Sequence, residues 1–214
     1  MTTAEKIRWK LAVAKEIKFL LATTKQIAES VTIAYIDQKK DPLVQYFWNI
    51  WNRVKIAEEI MTFYERYWRS PGFSAASRNS MSELTKDLFI DLVSMVEKAM
   101  KDYIKTNAIF EAEKEESLKT GNHLLIRNII DHSTQRNILD QDTSKEWNSI
   151  LTIRNIIIHN NSMSDRCRKF TVAGINISMR PKKIMKGPSN TFIVLSSRVI
   201  ELFHSWIKKI NGRL

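Results

Sequence analysis

Proline and glycine, the residues that stop helices, are confined to a few places in this chain. Pro42, Pro71, Pro181 and Pro188 all stand where the apolar periodicity breaks, and only five glycines occur in 214 residues. A proline inside a helix removes a hydrogen bond and clashes with the preceding turn, so the long stretches between these positions are open to helix formation. The apolar residues agree: Leu84, Leu88, Leu92, Met95, Val96 and Met100 recur at three-to-four spacing and would lay one stripe against a bundle. An all-α fold follows. At 43% hydrophobic content, residues 1–214 suffice for one domain with a full core, and no repeat of solenoid period interrupts it.

Local signals divide the chain further. Thr2-Thr3-Ala4-Glu5 reads as a capping box, followed by apolar residues at Ile7, Leu11, Ala14, Phe19 and Ile27, and predicts a first helix to about residue 37. Asp41-Pro42 offers an N-cap and a first-turn proline for a second helix. Its aromatics, Tyr46, Phe47, Trp48, Trp51, Phe63, Tyr64, Tyr67 and Trp68, read as core rather than as base-stacking platforms. Residues 69–82 read as a loop, and Ser80-Met81-Ser82-Glu83 as the capping box of a third helix to about Lys105. A short helix is expected from about Asn122 to Asp131, and Thr143-Ser144-Lys145-Glu146 is a further capping box. Between 170 and 179 apolar and polar residues alternate around Gly174, the pattern of a small β-hairpin inserted near residues 168–180. A last helix spans Asn190 to Ile210 with Phe192, Leu195, Val199, Leu202, Phe203 and Trp206 inward.

Charge narrows the function classes. The net charge is +11 with a pI near 9.7, which favours a polyanionic partner through phosphate neutralisation. Its spread is uneven: Glu111 to Glu116 is an acidic run, whereas Arg166, Arg168, Lys169, Arg180, Lys182, Lys183 and Lys186 occupy a segment without an acid. That segment, and Arg166, Arg168, Lys169, Lys182 and Lys183 in particular, is the candidate nucleic-acid face. A lone Cys167 permits no intramolecular disulfide, which suits the reducing cytoplasm. The four histidines are scattered and no His-Glu-x-x-His or paired-aspartate motif accompanies them, so no metal or cofactor is expected. Nothing resembles a signal peptide or an apolar run of about 18 residues, so no membrane partner is expected either.

The candidate site is the run Leu151-Thr152-Ile153-Arg154-Asn155-Ile156-Ile157-Ile158-His159-Asn160-Asn161. Polar groups set into an apolar helix cost free energy unless they are satisfied or used. Measured around the helix from Arg154, Asn155, Asn148, His159 and Thr152 fall at about 100°, 120°, 140° and 160°, one polar strip. Trp147, Ile150, Leu151, Ile157 and Ile158 fall within about 60° of Arg154 itself. The arginine thus lies in the apolar arc, and must find acceptors, run outward along the helix, or reach another subunit.

This run resembles the arginine-to-histidine motif of the HEPN superfamily, small α-helical bundles of which many are metal-independent RNases. Three segments share the bare spacing: Arg127 to His132, Arg154 to His159 and Arg198 to His204. The Arg154 segment has the family's Arg-Asn-apolar-apolar-apolar-His-Asn form, with Trp147 upstream and Asp165 after the histidine. Arg127-Asn128-Ile129-Ile130-Asp131-His132 puts an acid before the histidine and reads as a look-alike, and Arg198 lacks the polar second residue. The resemblance covers residues 80–214, leaving 1–79 as additional or divergent N-terminal helices. It implies a HEPN-like bundle, a homodimer whose motif helices pair into one cleft, RNA as partner, and a defence or toxin–antitoxin setting with an antitoxin or other protein partner.

Under that resemblance the reaction is cleavage of single-stranded RNA by attack of the 2′-hydroxyl on the adjacent phosphorus. His159 moves the proton, Arg154 stabilises the phosphorane charge, and Asn155 orients histidine or phosphate. The alternative is a non-catalytic HEPN module that binds nucleic acid or a protein through the same cleft.

Overall fold

Asp41 caps the second helix as its sequence predicts: its Oδ1 accepts the Leu43 amide at 2.7 Å, and Pro42 is the first helical residue. The computed structural model describes residues 3–35, 41–67, 76–106, 110–111, 125–160, 163–183, 185, 187–188 and 190–212. Among these the chain forms α1 (Thr3–Ala34), α2 (Pro42–Tyr67), α3 (Ala76–Thr106), α4 (Ile126–Gln135), α5 (Gln141–Asn160), β1 (Arg168–Val172), β2 (Ile175–Met179) and α6 (Thr191–Asn211). The fold is mainly helical with one small antiparallel sheet.

Helix α2 folds back along α1, where Trp48 Nε1 donates to Thr32 Oγ1 at 2.9 Å. Both lie against the pair α3 and α6: α2 packs on α3, tied by Arg53 to Asp91 at 2.6 Å, and α1 packs on α6. Helix α3 also touches α4 and α5, and α5 in turn touches α4, α6 and β1. One cluster of buried side chains runs through these elements from Val13 to Ile207. Part of it is a chain of aromatic contacts in which Phe47 meets Phe203, Phe203 meets Trp206 and Trp206 meets Phe110. Trp206 keeps its indole N–H satisfied by donating to Ser133 Oγ of α4 at 2.9 Å.

Most of the residues in the stripes predicted on α3, α5 and α6 are buried, including Leu88, Leu92, Val96, Trp147, Ile150, Ile153, Ile157, Val199 and Phe203, whereas Leu84, Met95 and Phe192 are half-buried. In α1 burial falls on Val13, Ile17, Leu20, Ile27 and Val31, whereas Phe19 faces outward; the side chains of Ile7 and Leu11 lie outside the described residues. In α2, Phe47 is core, but Phe63 is exposed, and Trp68 and the Tyr67 side chain lie outside the described residues.

Three helix starts differ from the sequence expectation. Helix α3 is already under way at Ala76, so Ser80 to Glu83 lies inside it rather than capping it. Met81 is fully buried, and this apolar anchor outweighs the small helix penalty of the serines. Helix α5 is capped earlier than expected, by Asp140, whose two oxygens take the Thr143 amide at 2.7 Å and its hydroxyl at 2.9 Å. Helix α4 runs over Ile126–Gln135 and ends in a left-handed Asn137, φ 59°. Of the acidic run Glu111 to Glu116 only Glu111 is described, and residues 36–40 and 122–124 lie outside the described residues.

The hairpin is where alternation placed it. Phe170 pairs with Ile177 and Val172 with Ile175, while Lys169, Thr171 and Asn176 face outward. Ala173 and Gly174 both take positive φ, 48° and 74°, the two-residue turn that matches strand twist.

Candidate functional site

Arg154 lies half-buried on the side of α5 that meets α3 and α4. Its Nη2 donates to Ser94 Oγ of α3 at 3.2 Å and its Nη1 to Asn155 Oδ1 at 3.1 Å. Its Nε is buried without a hydrogen-bond partner. Both partners are neutral, and among the described residues no carboxylate pairs with this guanidinium. The apolar arc around it is real, since Trp147, Ile150, Leu151 and Ile157 are buried, so the arginine solves its difficulty by reaching across to α3.

That reach brings it to a cleft of about 280 Å³ between α3, α4 and α5, lined by Glu97, Leu125, Ile126, Arg127, Leu151, Arg154 and Asn155. The cleft therefore holds the arginines of both Arg-Asn segments. Arg127 is exposed and makes no ion pair among the described residues. Glu97 is engaged by Lys101, whose Nζ donates to it at 2.7 Å. The look-alike segment thus lends its arginine to the same place, which linear spacing does not reveal. Its histidine, His132, lies five residues on in α4 and is absent from the cleft lining.

The polar strip of α5 opens toward its C-terminal end. Asn148 and Thr152 are half-buried, with the Thr152 hydroxyl donating to the Asn148 carbonyl at 2.7 Å, whereas Asn155 and His159 are exposed. His159 is about 7.5 Å farther along the axis and about 140° around it from Arg154, outside the cleft. One chain thus joins Arg154 to Asn155 but not to His159. Ile158, expected in the apolar arc, is instead 40% exposed beside the histidine, as is Met163 just beyond the helix. Helix α5 packs against four neighbouring elements, α3, α4, α6 and β1, and its buried residues run as far as Ile157.

The basic residues follow at once. Arg166, Lys169, Arg180, Lys182 and Lys183 are exposed and make no ion pair among the described residues. Arg168 is different: it is half-buried and bound to Asp165 at 3.0 Å, and this hydrogen bond holds the Asp165 carboxyl below the usual aspartate range. The segment is given shape by the pairing of Ser164 with Pro181 and by the hairpin between them, and Lys182 takes φ 56°. Among the described residues no group of three His, Cys, Asp or Glu side chains comes together to hold a metal ion. No helix of the described residues is long and apolar enough to cross a membrane.

No known protein family, curated protein or solved structure matches this chain.

Proposed function

We propose that the chain is a metal-independent endoribonuclease for single-stranded RNA, acting through Arg154, Asn155 and His159. The observation that carries this reading is the state of Arg154: a half-buried guanidinium at the wall of an open cleft, held only by neutral groups. A cation so placed gains its compensation when an anion enters, and its fork of donors suits phosphate oxygens. The exposed Asn155 and His159 lie on the same helix, and uncompensated cations follow it in sequence.

In this mechanism the RNA 2′-hydroxyl attacks the neighbouring phosphorus, its proton passes to His159, the P–O5′ bond breaks and the leaving 5′-oxygen takes a proton from water, giving a 2′,3′-cyclic phosphate. Arg154 neutralises the charge that develops on the phosphorane oxygens. Because His159 stands apart from Arg154 within one chain, the site is composite, with His159 supplied by a second copy. Ile158, exposed and next to His159 in sequence, gives that pairing an apolar contact. Arg166, Lys169, Lys182 and Lys183, with Arg168 held by Asp165, would hold the RNA backbone without reading bases.

The separation of Arg154 from His159 favours one other reading, an RNA-binding module of the same architecture without catalysis. Incubation with labelled single-stranded RNA in EDTA decides between them. Cleavage by the wild-type chain that His159→Ala removes supports the nuclease; binding with intact RNA supports the module.

A further inference from the structure

The cleft contains more than a catalytic motif requires. Arg127 and Arg154 both line it, on different helices, and neither is neutralised by a carboxylate among the described residues. The one acid in the lining, Glu97, is already bound to Lys101. Helix α4 enters the cleft by its first residues, with Leu125 at the N-cap position and no side chain capping the free amides. That adds partial positive charge to the two full charges. The remaining lining is apolar: Ile126 and Leu151 are buried, whereas Leu125 is 55% exposed at the lip. At about 280 Å³ the cleft is close to the lower end of small-ligand sites, enough for one nucleotide and too small for a duplex.

We propose that Arg127 and Arg154 together grip one phosphate of an RNA strand, with the attached base lying on the apolar shelf of Leu125, Ile126 and Leu151. Arg127 is then a binding residue of the site. Two guanidinium forks from separate helices can engage separate oxygens of one phosphate. The exposed leucine gains a function, since a flat base face is covered well by aliphatic side chains once phosphate contacts fix the strand. This inference rests on the RNA reading for the identity of its ligand, but not on catalysis.

The test is titration of the full chain with adenosine 3′-monophosphate, adenosine and inorganic phosphate, using the wild type, Arg127→Ala and Arg127→Lys. The nucleotide should bind at least about ten-fold more tightly than either the nucleoside or phosphate alone, because only it uses both halves of the cleft. Arg127→Ala should weaken the nucleotide about ten-fold or more, and Arg127→Lys should restore part of that loss, since a point charge replaces a fork. The melting temperature should hold in both, the side chain being exposed. Unchanged nucleotide binding by Arg127→Ala, nucleoside binding as tight as nucleotide, phosphate binding as tight as nucleotide, or no binding of any probe at millimolar concentration would each overturn the proposal. Its fate is separable from that of the nuclease. A wild-type chain that leaves RNA uncut yet binds nucleotide through Arg127 keeps this site and loses catalysis. One that cuts RNA while Arg127→Ala binds and cuts normally keeps catalysis and loses this site.

Discussion

Arg198 of α6 donates from Nε and Nη2 to the same oxygen of Glu146 in α5, at 3.0 and 2.7 Å, while the other Glu146 oxygen accepts the Ala173 amide at the hairpin turn, 2.7 Å away. One carboxylate thus ties two helices and the hairpin tip. Arg198 has a second acceptor in Glu201 at 3.1 Å, and these carboxylates raise its pKa above the ordinary arginine value. The hairpin lies along α5 and carries Arg168 and Lys169, so the pair also fixes where these cations stand.

Glu146→Ala should therefore destabilise the chain by about 1.5–3 kcal/mol, the usual worth of hydrogen bonds to charged groups. Glu146→Gln should cost less, since it keeps an acceptor for the Ala173 amide. Urea denaturation measures both. Hydrogen exchange at the Ala173 amide should quicken in the alanine variant; unchanged exchange and stability would show that this tie carries no load.

His204 is half-buried in α6, its ring edge-on to Phe47 at 6.0 Å and its Nε2 buried without a partner. Burial, with Lys208 nearby, lowers its pKa from 6.5. A depressed histidine pKa means that the unfolded chain takes up the proton first, so stability falls as the pH drops through 6.5 and levels off below the folded value. Asp102 and Asp140 act in a different window: their pKa values are lowered from 3.8, so their contribution is present above that pH and lost in stronger acid. His204→Phe should remove the loss that sets in below pH 6.5 and leave the acid limb in place. Melting temperatures across this range test it, and an unaltered slope would place the titration elsewhere.

How far this was legible in the sequence differs from element to element. Apolar periodicity located the buried faces of α3, α5 and α6 because three-to-four spacing encodes a face directly. Alternation around Gly174 located the hairpin for the same reason. Helix starts were less legible, since a Thr-x-x-Glu pattern such as Thr143 to Glu146 records a local option that tertiary contact can override: Glu146 is taken by Arg198 and Ala173, and Asp140 caps α5 instead. The cleft was least legible. Angles around α5 placed Arg154 among apolar residues but carried no information about Ser94, and Arg127 joins Arg154 only through the packing of α4 against α5.

Arg166, Lys169, Lys182 and Lys183 are exposed and unpaired among the described residues, so their contribution to RNA binding should be that of phosphate contacts. Affinity for single-stranded RNA should fall steeply with salt. Lys182→Glu with Lys183→Glu should weaken binding to all sequences alike and flatten the salt slope. Anisotropy at several salt concentrations measures this; a flat response in the wild type would point to a protein partner.

The composite site makes the sharpest prediction. Arg154→Ala and His159→Ala should each abolish cleavage in EDTA: loss of one positioned proton-transfer group typically costs about 100 to 10,000-fold, and loss of one donor to the developing charge about 100 to 1,000-fold. His132→Ala and His204→Ala should leave cleavage largely intact, because neither histidine lines the cleft or lies on α5. Arg154 also binds Ser94, so its variant must be shown to fold, whereas His159 is exposed and its removal should leave the melting temperature unchanged. If two copies share each site, mixing the Arg154→Ala and His159→Ala chains should recover activity, because a mixed dimer assembles one intact Arg154 with one intact His159. With random assortment about half of the dimers are mixed and each holds one working site, so about a quarter of wild-type activity should return. Light scattering should find the wild-type chain dimeric at tens of micromolar. Wild-type cleavage with no recovery in a mixture shown to exchange subunits would confine Arg154 and His159 to one chain, and the 7.5 Å or so between them along α5 would then have to be closed by bending the helix.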